Sequence, residues 1–190
     1  MCENTIDFRL GNQFPDLVLL GACPGQNEFN AAPQRPFAGN SALNLRILFQ
    51  VLRNLPNKGY YGFQADDFAS DNPDDYTLMN SHHAAKWPAE HGLSTPRLSE
   101  VDSDDNLVRL RNQLECVEAR VVIGLGRPIA DANLARSGKD SGPMRAIRNL
   151  AVNYPGVSFC ITGHPSPKPI NRYGGGNAQQ WFLHKLRRFP

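Results

Sequence analysis

Four short and nearly unbroken apolar runs punctuate the chain: Leu17 to Leu20, Tyr76 to Met79, Val121 to Leu125 and Val157 to Ile161. None shows the in–out alternation of a half-exposed antiparallel strand, so the pattern predicts buried parallel strands. Between the first two, Leu45, Leu48 and Leu52, flanked by Ile47 and Val51, make an apolar stripe at helical spacing behind a candidate N-cap at Ser41. Leu107, Leu110, Leu114 and Val117 make a second stripe behind Ser103. Trp181, Phe182, Leu183 and Leu186 predict a closing helix, set apart by Gly174 to Gly176. Pro56 to Pro73 and Trp87 to Pro96 read as loops. Strands alternating with helices predict an α/β fold, a central four-stranded parallel sheet with helices on both faces. With 190 residues and no repeat or low-complexity tract, a single domain spanning residues 1–190 is expected.

Charge sharpens this picture. The net charge is +2, yet no Asp or Glu follows Asp140, while Arg145, Arg148, Lys168, Arg172, Lys185, Arg187 and Arg188 do. Those seven cations leave the first 140 residues at −5. A basic C-terminal stretch fits a face that meets phosphates, or equally a solvated helix end complementing its own dipole. No apolar run approaches the ~20 residues of a membrane span, and the acids Glu3, Asp7 and Asp16 interrupt any secretory h-region. The four cysteines, Cys2, Cys23, Cys116 and Cys160, form no C-x-x-C pair. Neither a disulfide framework nor a zinc site is expected, and a cytoplasmic location with reduced thiols fits.

In open parallel sheets, ligands gather beyond the carboxyl ends of the strands. Gly21-Ala22-Cys23-Pro24-Gly25-Gln26-Asn27-Glu28 follows the first strand, and Arg35-Pro36-Phe37-Ala38-Gly39 comes shortly after. Asn80-Ser81-His82-His83 follows the second, Gly124-Leu125-Gly126-Arg127 the third, and Gly163-His164-Pro165-Ser166-Pro167-Lys168-Pro169 the fourth. No dinucleotide fingerprint and no Gly-Lys-Ser/Thr phosphate loop is among them. His82 and His83, as strand neighbours, would face opposite ways and so contribute at most one group to a site.

These segments resemble the uracil-DNA glycosylase superfamily. Gly21 to Glu28 is similar to its Gly-x-x-Pro-Gly motif, which the iron–sulfur branch extends to Gly-Glu-Ala-Pro-Gly-x-x-Glu and follows with Pro-Phe-x-Gly, here Pro36 to Gly39. Asn80 stands where that family places its base-reading Asn. Val121 to Gly126 resembles its third core strand, and His164-Pro165-Ser166-Pro167 its second signature, with a continuation like that of the single-strand-selective branch. The resemblance covers roughly residues 14–188 in the right order. It departs at two points. The cysteines do not supply four cluster ligands, so no iron–sulfur cluster, metal or other cofactor is expected. Cys23 also stands where water-activating members carry Asp or Asn, and a thiol is a poor water-orienting group.

The resemblance implies excision of uracil or another deaminated base from DNA, with the base flipped into a pocket. Phe37 would stack the base, beside Gly21 and Ala22. Asn80 would read its edge, and His164 would donate to the leaving base as it gains charge. Glu28 or Cys23 would place water. Ser166, Pro167, Lys168, Ile170 and Arg172 would meet DNA, with Ile170 at the apolar tip of a stiff loop and Lys168 and Arg172 on phosphates. The expected partner is single- or double-stranded DNA, bound by a monomer. Each residue also has a plainer reading: turn glycines, a core phenylalanine, a capping Asn, a structural histidine. The alternative functions are a catalytically silent nucleobase-binding relative and an unrelated nucleotide-handling Rossmann-like enzyme.

Overall fold

The computed structural model describes residues 2–126 and 140–189; Arg127 lies outside them. Six strands form one sheet: β1 (Phe8–Arg9), β2 (Phe14–Gly21), β3 (Tyr76–Asn80), β4 (Val121–Leu125), β5 (Ser158–Thr162) and β6 (Arg187–Arg188). Their order is β1-β3-β2-β4-β5-β6. The inner four are parallel and coincide with the four apolar runs. The central four-stranded parallel sheet is extended on both sides, because β1 and β6 add antiparallel edges. At two residues each, these edges carry no periodic signal.

The helices are α1 (Gln26–Asn30), α2 (Asn40–Arg53), α3 (Pro88–His91), α4 (Leu98–Val101), α5 (Asp104–Cys116), α6 (Gly142–Ala151), α7 (Pro167–Tyr173) and α8 (Ala178–Lys185). Strand pleating sorts the core into two layers. Leu17, Leu19, Leu78 and Ile123 face one way, onto Leu45, Leu48 and Phe49 of α2, Ile170 of α7 and Phe182 of α8. Val18, Leu20, Met79 and Val122 face the other, onto Val101 of α4, Leu110 and Leu114 of α5, and Ile147 and Leu150 of α6. Strands buried on both faces are why their sequences run apolar without alternation. Ser103 caps α5 by position, as expected, whereas the N-cap of α2 is Gly39 and Ser41 lies in its first turn.

Two expectations from composition are corrected here. Cys2 and Cys116 form a disulfide, with Cα atoms 6.1 Å apart, because the chain start runs back along the end of α5. A separation of 114 residues hides such a pair from spacing arguments. The C-terminal cations also do not share one face: Arg145 and Arg148 lie on α6, on one side of the sheet, and pair with Asp102 and Asp140, while Lys168 and Arg172 lie on α7 and Lys185 on α8, on the other. Among the described residues, no helix is long and apolar enough to cross a membrane.

Candidate active site

The pocket begins where β2 and β3 end. Gly21 and Asn80 are register partners, the last residues of adjacent parallel strands. The pairing continues past the sheet: Ser81 donates its N–H to the Gly21 carbonyl at 2.8 Å, His82 to Ala22 at 3.0 Å, and Lys86 to Pro24 at 2.8 Å. This zipper holds the 21–25 turn against the 81–86 segment. A Cβ on Gly21 would stand 2.5 Å from Asn80 Oδ1 and 2.6 Å from Phe37 Cζ, so only glycine leaves both side chains in place. Phe37 reaches over Gly21 from a backbone with φ +54, a conformation a non-glycine residue adopts only when its surroundings enforce it. It is 5% exposed and belongs to the core as well as to the pocket wall, so its two readings are compatible.

Asn80 is 3% exposed, and no described residue hydrogen-bonds its side-chain amide. Its backbone, by contrast, is held on both sides. Its N–H donates to the Asp7 carbonyl at 2.9 Å, and its carbonyl accepts from Arg109 Nη2 at 3.0 Å. Arg109 Nη1 also pairs with Asp7 Oδ2 at 2.5 Å, and Asn106 Nδ2 donates to the Ser81 carbonyl at 2.9 Å. Burial lowers the Arg109 pKa, opposed by Asp7. Removing one member of such a pair strands the other charge, so Arg109→Ala should cost ~3–5 kcal/mol, read from urea unfolding midpoints.

His164 arrives from the end of β5. A Cβ on Gly163 would lie 2.1 Å from Trp181 Nε1, so close packing of the indole excludes any side chain there. The indole N–H then donates to the His164 carbonyl at 3.2 Å, and Asn44 Nδ2 holds the Pro165 carbonyl at 2.6 Å. The Ser166 N–H donates to His164 Nδ1 at 3.0 Å. With Nδ1 accepting, a neutral ring carries its proton on Nε2, which no described residue engages. Burial pushes the imidazole pKa down to about 4, so the ring is neutral at pH 7. The result is a fixed neutral donor.

Glu28 is bound at both oxygens: Oε2 accepts from Gly25 N at 3.0 Å and Oε1 from Ala38 N at 3.2 Å. It thus fastens the first motif to the Pro36–Gly39 segment while lining the cavity. The Cys23 thiol donates to the Ser94 carbonyl at 3.7 Å. Burial pushes its pKa up to about 12, so it stays protonated and cannot serve as a base near neutrality.

One cavity of about 530 Å³ gathers Ala22, Cys23, Glu28, Phe37, Asn80, His164, Ser166 and Pro167. Lys168 is exposed on α7 outside its wall, as is Arg172. The expected apolar wedge is corrected: Ile170 is 3% exposed and packs in the core with Trp181 and Phe182. Pro167 occupies the first turn of a helix, where its missing N–H costs nothing, so the segment coils instead of forming a stiff loop. His82 and His83 lie past β3, with rings 4.7 Å apart, so strand alternation does not apply to them. Lys86, Trp87, Ser94 and Thr95 also line the cavity, although Trp87 to Pro96 reads as a plain loop in the sequence. Lys86 Nζ pairs with Glu100 Oε1 at 2.8 Å. A lone Trp immediately beyond a strand-end motif was the available signal.

A carboxyl-edge pocket walled by an aromatic ring, an unengaged amide and a fixed neutral imidazole suits a planar heterocycle with hydrogen-bonding edges. The family model described as the uracil DNA glycosylase superfamily matches residues 8–189, and the chain belongs to that superfamily, whose members are in general glycosylase hydrolases acting on DNA. Comparison with curated proteins gave no match.

Proposed function

We propose that this protein is a DNA glycosylase that hydrolyses the N-glycosidic bond of uracil or another deaminated base flipped out of the strand. The observation that carries this reading is that one cavity is lined by both Asn80, whose amide no described residue engages, and His164, whose Nδ1 is taken up by the Ser166 N–H. A flipped base would stack on Phe37, and the Asn80 amide would offer one donor and one acceptor to its edge. As the C1′–N bond breaks, its electron pair leaves with the base and the sugar gains oxocarbenium character. His164 Nε2–H then stabilises the charge growing on the base oxygen without giving up its proton. Water adds to C1′ and its proton passes by way of the Glu28 carboxylate to the departed base anion, leaving a neutral sugar and a neutral free base. Glu28 holds that water with the lone pairs its backbone contacts leave free.

This division of labour has a direct check. Cys23→Ala should change single-turnover base release by no more than ~2-fold, because a protonated thiol gives water little orientation. Glu28→Gln should reduce it ~10-fold or more, since an amide replaces one carboxylate oxygen with a donor.

The protonated Cys23 thiol also supports a second reading, a relative that binds nucleobases but does not hydrolyse. The test is incubation with single- and double-stranded oligonucleotides carrying uracil, hypoxanthine or xanthine, followed by alkaline cleavage of abasic sites. Strand breaks at the lesion support the glycosylase. Intact strands with salt-sensitive DNA binding would support the silent relative.

A further inference from the structure

A second and larger cleft, about 710 Å³, adjoins the base pocket and shares Asn40 and Pro167 with it. Its walls are the start of α2, the start of α7 and the turn that enters α8. We infer that this cleft receives the base of the nucleotide next to the flipped one, so that the protein senses the sequence flanking its lesion. This rests on the glycosylase reading and adds to it a second base-binding subsite.

The lining chemistry selects a base over a phosphate. Five amide side chains contribute, from Asn40, Asn44, Asn171, Asn177 and Gln179, and no charged residue does. A phosphate would meet no cationic side chain here, only the first turns of α2, α7 and α8, whereas five amides match the neutral donor and acceptor edges of a heterocycle. Two of the amides are half committed in complementary ways. Asn44 spends its Nδ2 on the Pro165 carbonyl and keeps Oδ1 as an acceptor. Asn177 spends its Oδ1 on Gln180 N and keeps Nδ2 as a donor. Leu43, 56% exposed, and Ile47 add an apolar surface for a base face. Lys168, exposed on the same α7, lines neither cavity and offers its cation to a phosphate of the bound strand. Asn44 also links the two sites, because the carbonyl it holds belongs to the residue between His164 and Ser166.

The test uses fluorescence anisotropy with single-stranded oligonucleotides carrying a tetrahydrofuran abasic analogue at the lesion position, so no turnover is needed. The neighbour on either side is a normal nucleotide or a second tetrahydrofuran. Removing the flanking base on one side only should weaken binding ~3- to 10-fold, the worth of one or two hydrogen bonds in a partly wet cleft. In the double variant Asn177→Ser, Gln179→Ala, where the serine still caps α8 but the free Nδ2 donor is gone, that difference should shrink to less than ~2-fold. Equal affinities with and without either flanking base would overturn the inference, as would a difference that survives the double variant. The glycosylase reading stands or falls separately. Flank-indifferent binding with intact base release overturns only the subsite, whereas no DNA binding at all overturns both.

Discussion

Replacing His164 with alanine should slow single-turnover base release ~100- to 1,000-fold, because loss of one preorganised donor to a developing oxyanion typically costs ~2.7–4 kcal/mol. The size of the effect follows from how firmly the ring is set. The Ser166 N–H fixes the tautomer at 3.0 Å, and the backbone on either side is tied to Trp181 and Asn44. No reorganisation is left for the moment of reaction. The same burial predicts a pH signature. The ring titrates near 6.5 when unfolded and near 4 in the fold, so between those values the unfolded chain binds a proton that the native state refuses. The stability associated with this group is therefore complete above pH 6.5 and is lost as pH falls toward 4. Urea midpoints measured across pH 7 to 4 should fall less steeply in His164→Ala than in the unmodified protein. Base release should show no loss attributable to His164 protonation until pH approaches 4.

Asn80→Asp should lower uracil release by at least ~100-fold while leaving binding to undamaged DNA within a few-fold. The substitution exchanges the amide donor for a second acceptor on a residue that is 3% exposed, and an unmatched buried polar pair costs ~1–3 kcal/mol, more when charged. The backbone anchors on Asp7 and Arg109 do not involve the side chain, so the fold should survive the change. Preference should move away from uracil, because a site built to match hydrogen bonds rejects a ligand that leaves them unpaired. Equal uracil release by Asn80→Asp and the unmodified protein would mean that Asn80 does not read the base.

The parallel core was legible because burial on both faces leaves strands such as Val121–Leu125 apolar throughout, a signal that survives in four or five residues. Strand ends converging on one edge then made the juxtaposition of Asn80 and His164 predictable from topology alone. What escaped depends on three-dimensional partners that leave no local mark. The two-residue edges β1 and β6 exist only through pairing with β3 and β5. Cys2 meets Cys116 through the path of the chain start. Ile170 turned inward because Pro167 opens a helix, a possibility that the proline-rich spelling of the segment concealed. Gly163 is required by the close approach of the Trp181 indole, a long-range contact that leaves no mark in the local sequence. Arg109, which holds the Asn80 carbonyl from another element, had no motif to betray it.

Whether the cavity of Asn80 and His164 breaks an N-glycosidic bond is decided by the appearance of free base. The most direct measurement is mass-spectrometric detection of free base after a single turnover on a uracil-containing oligonucleotide, run in parallel with His164→Ala. The unmodified protein should release stoichiometric free uracil and no base from an undamaged strand, and the variant should release uracil ~100- to 1,000-fold more slowly. Release of uracil at the same rate by both proteins would contradict the site assignment. No free uracil, hypoxanthine or xanthine from any matching substrate, with DNA bound and the strand intact, would contradict the enzyme.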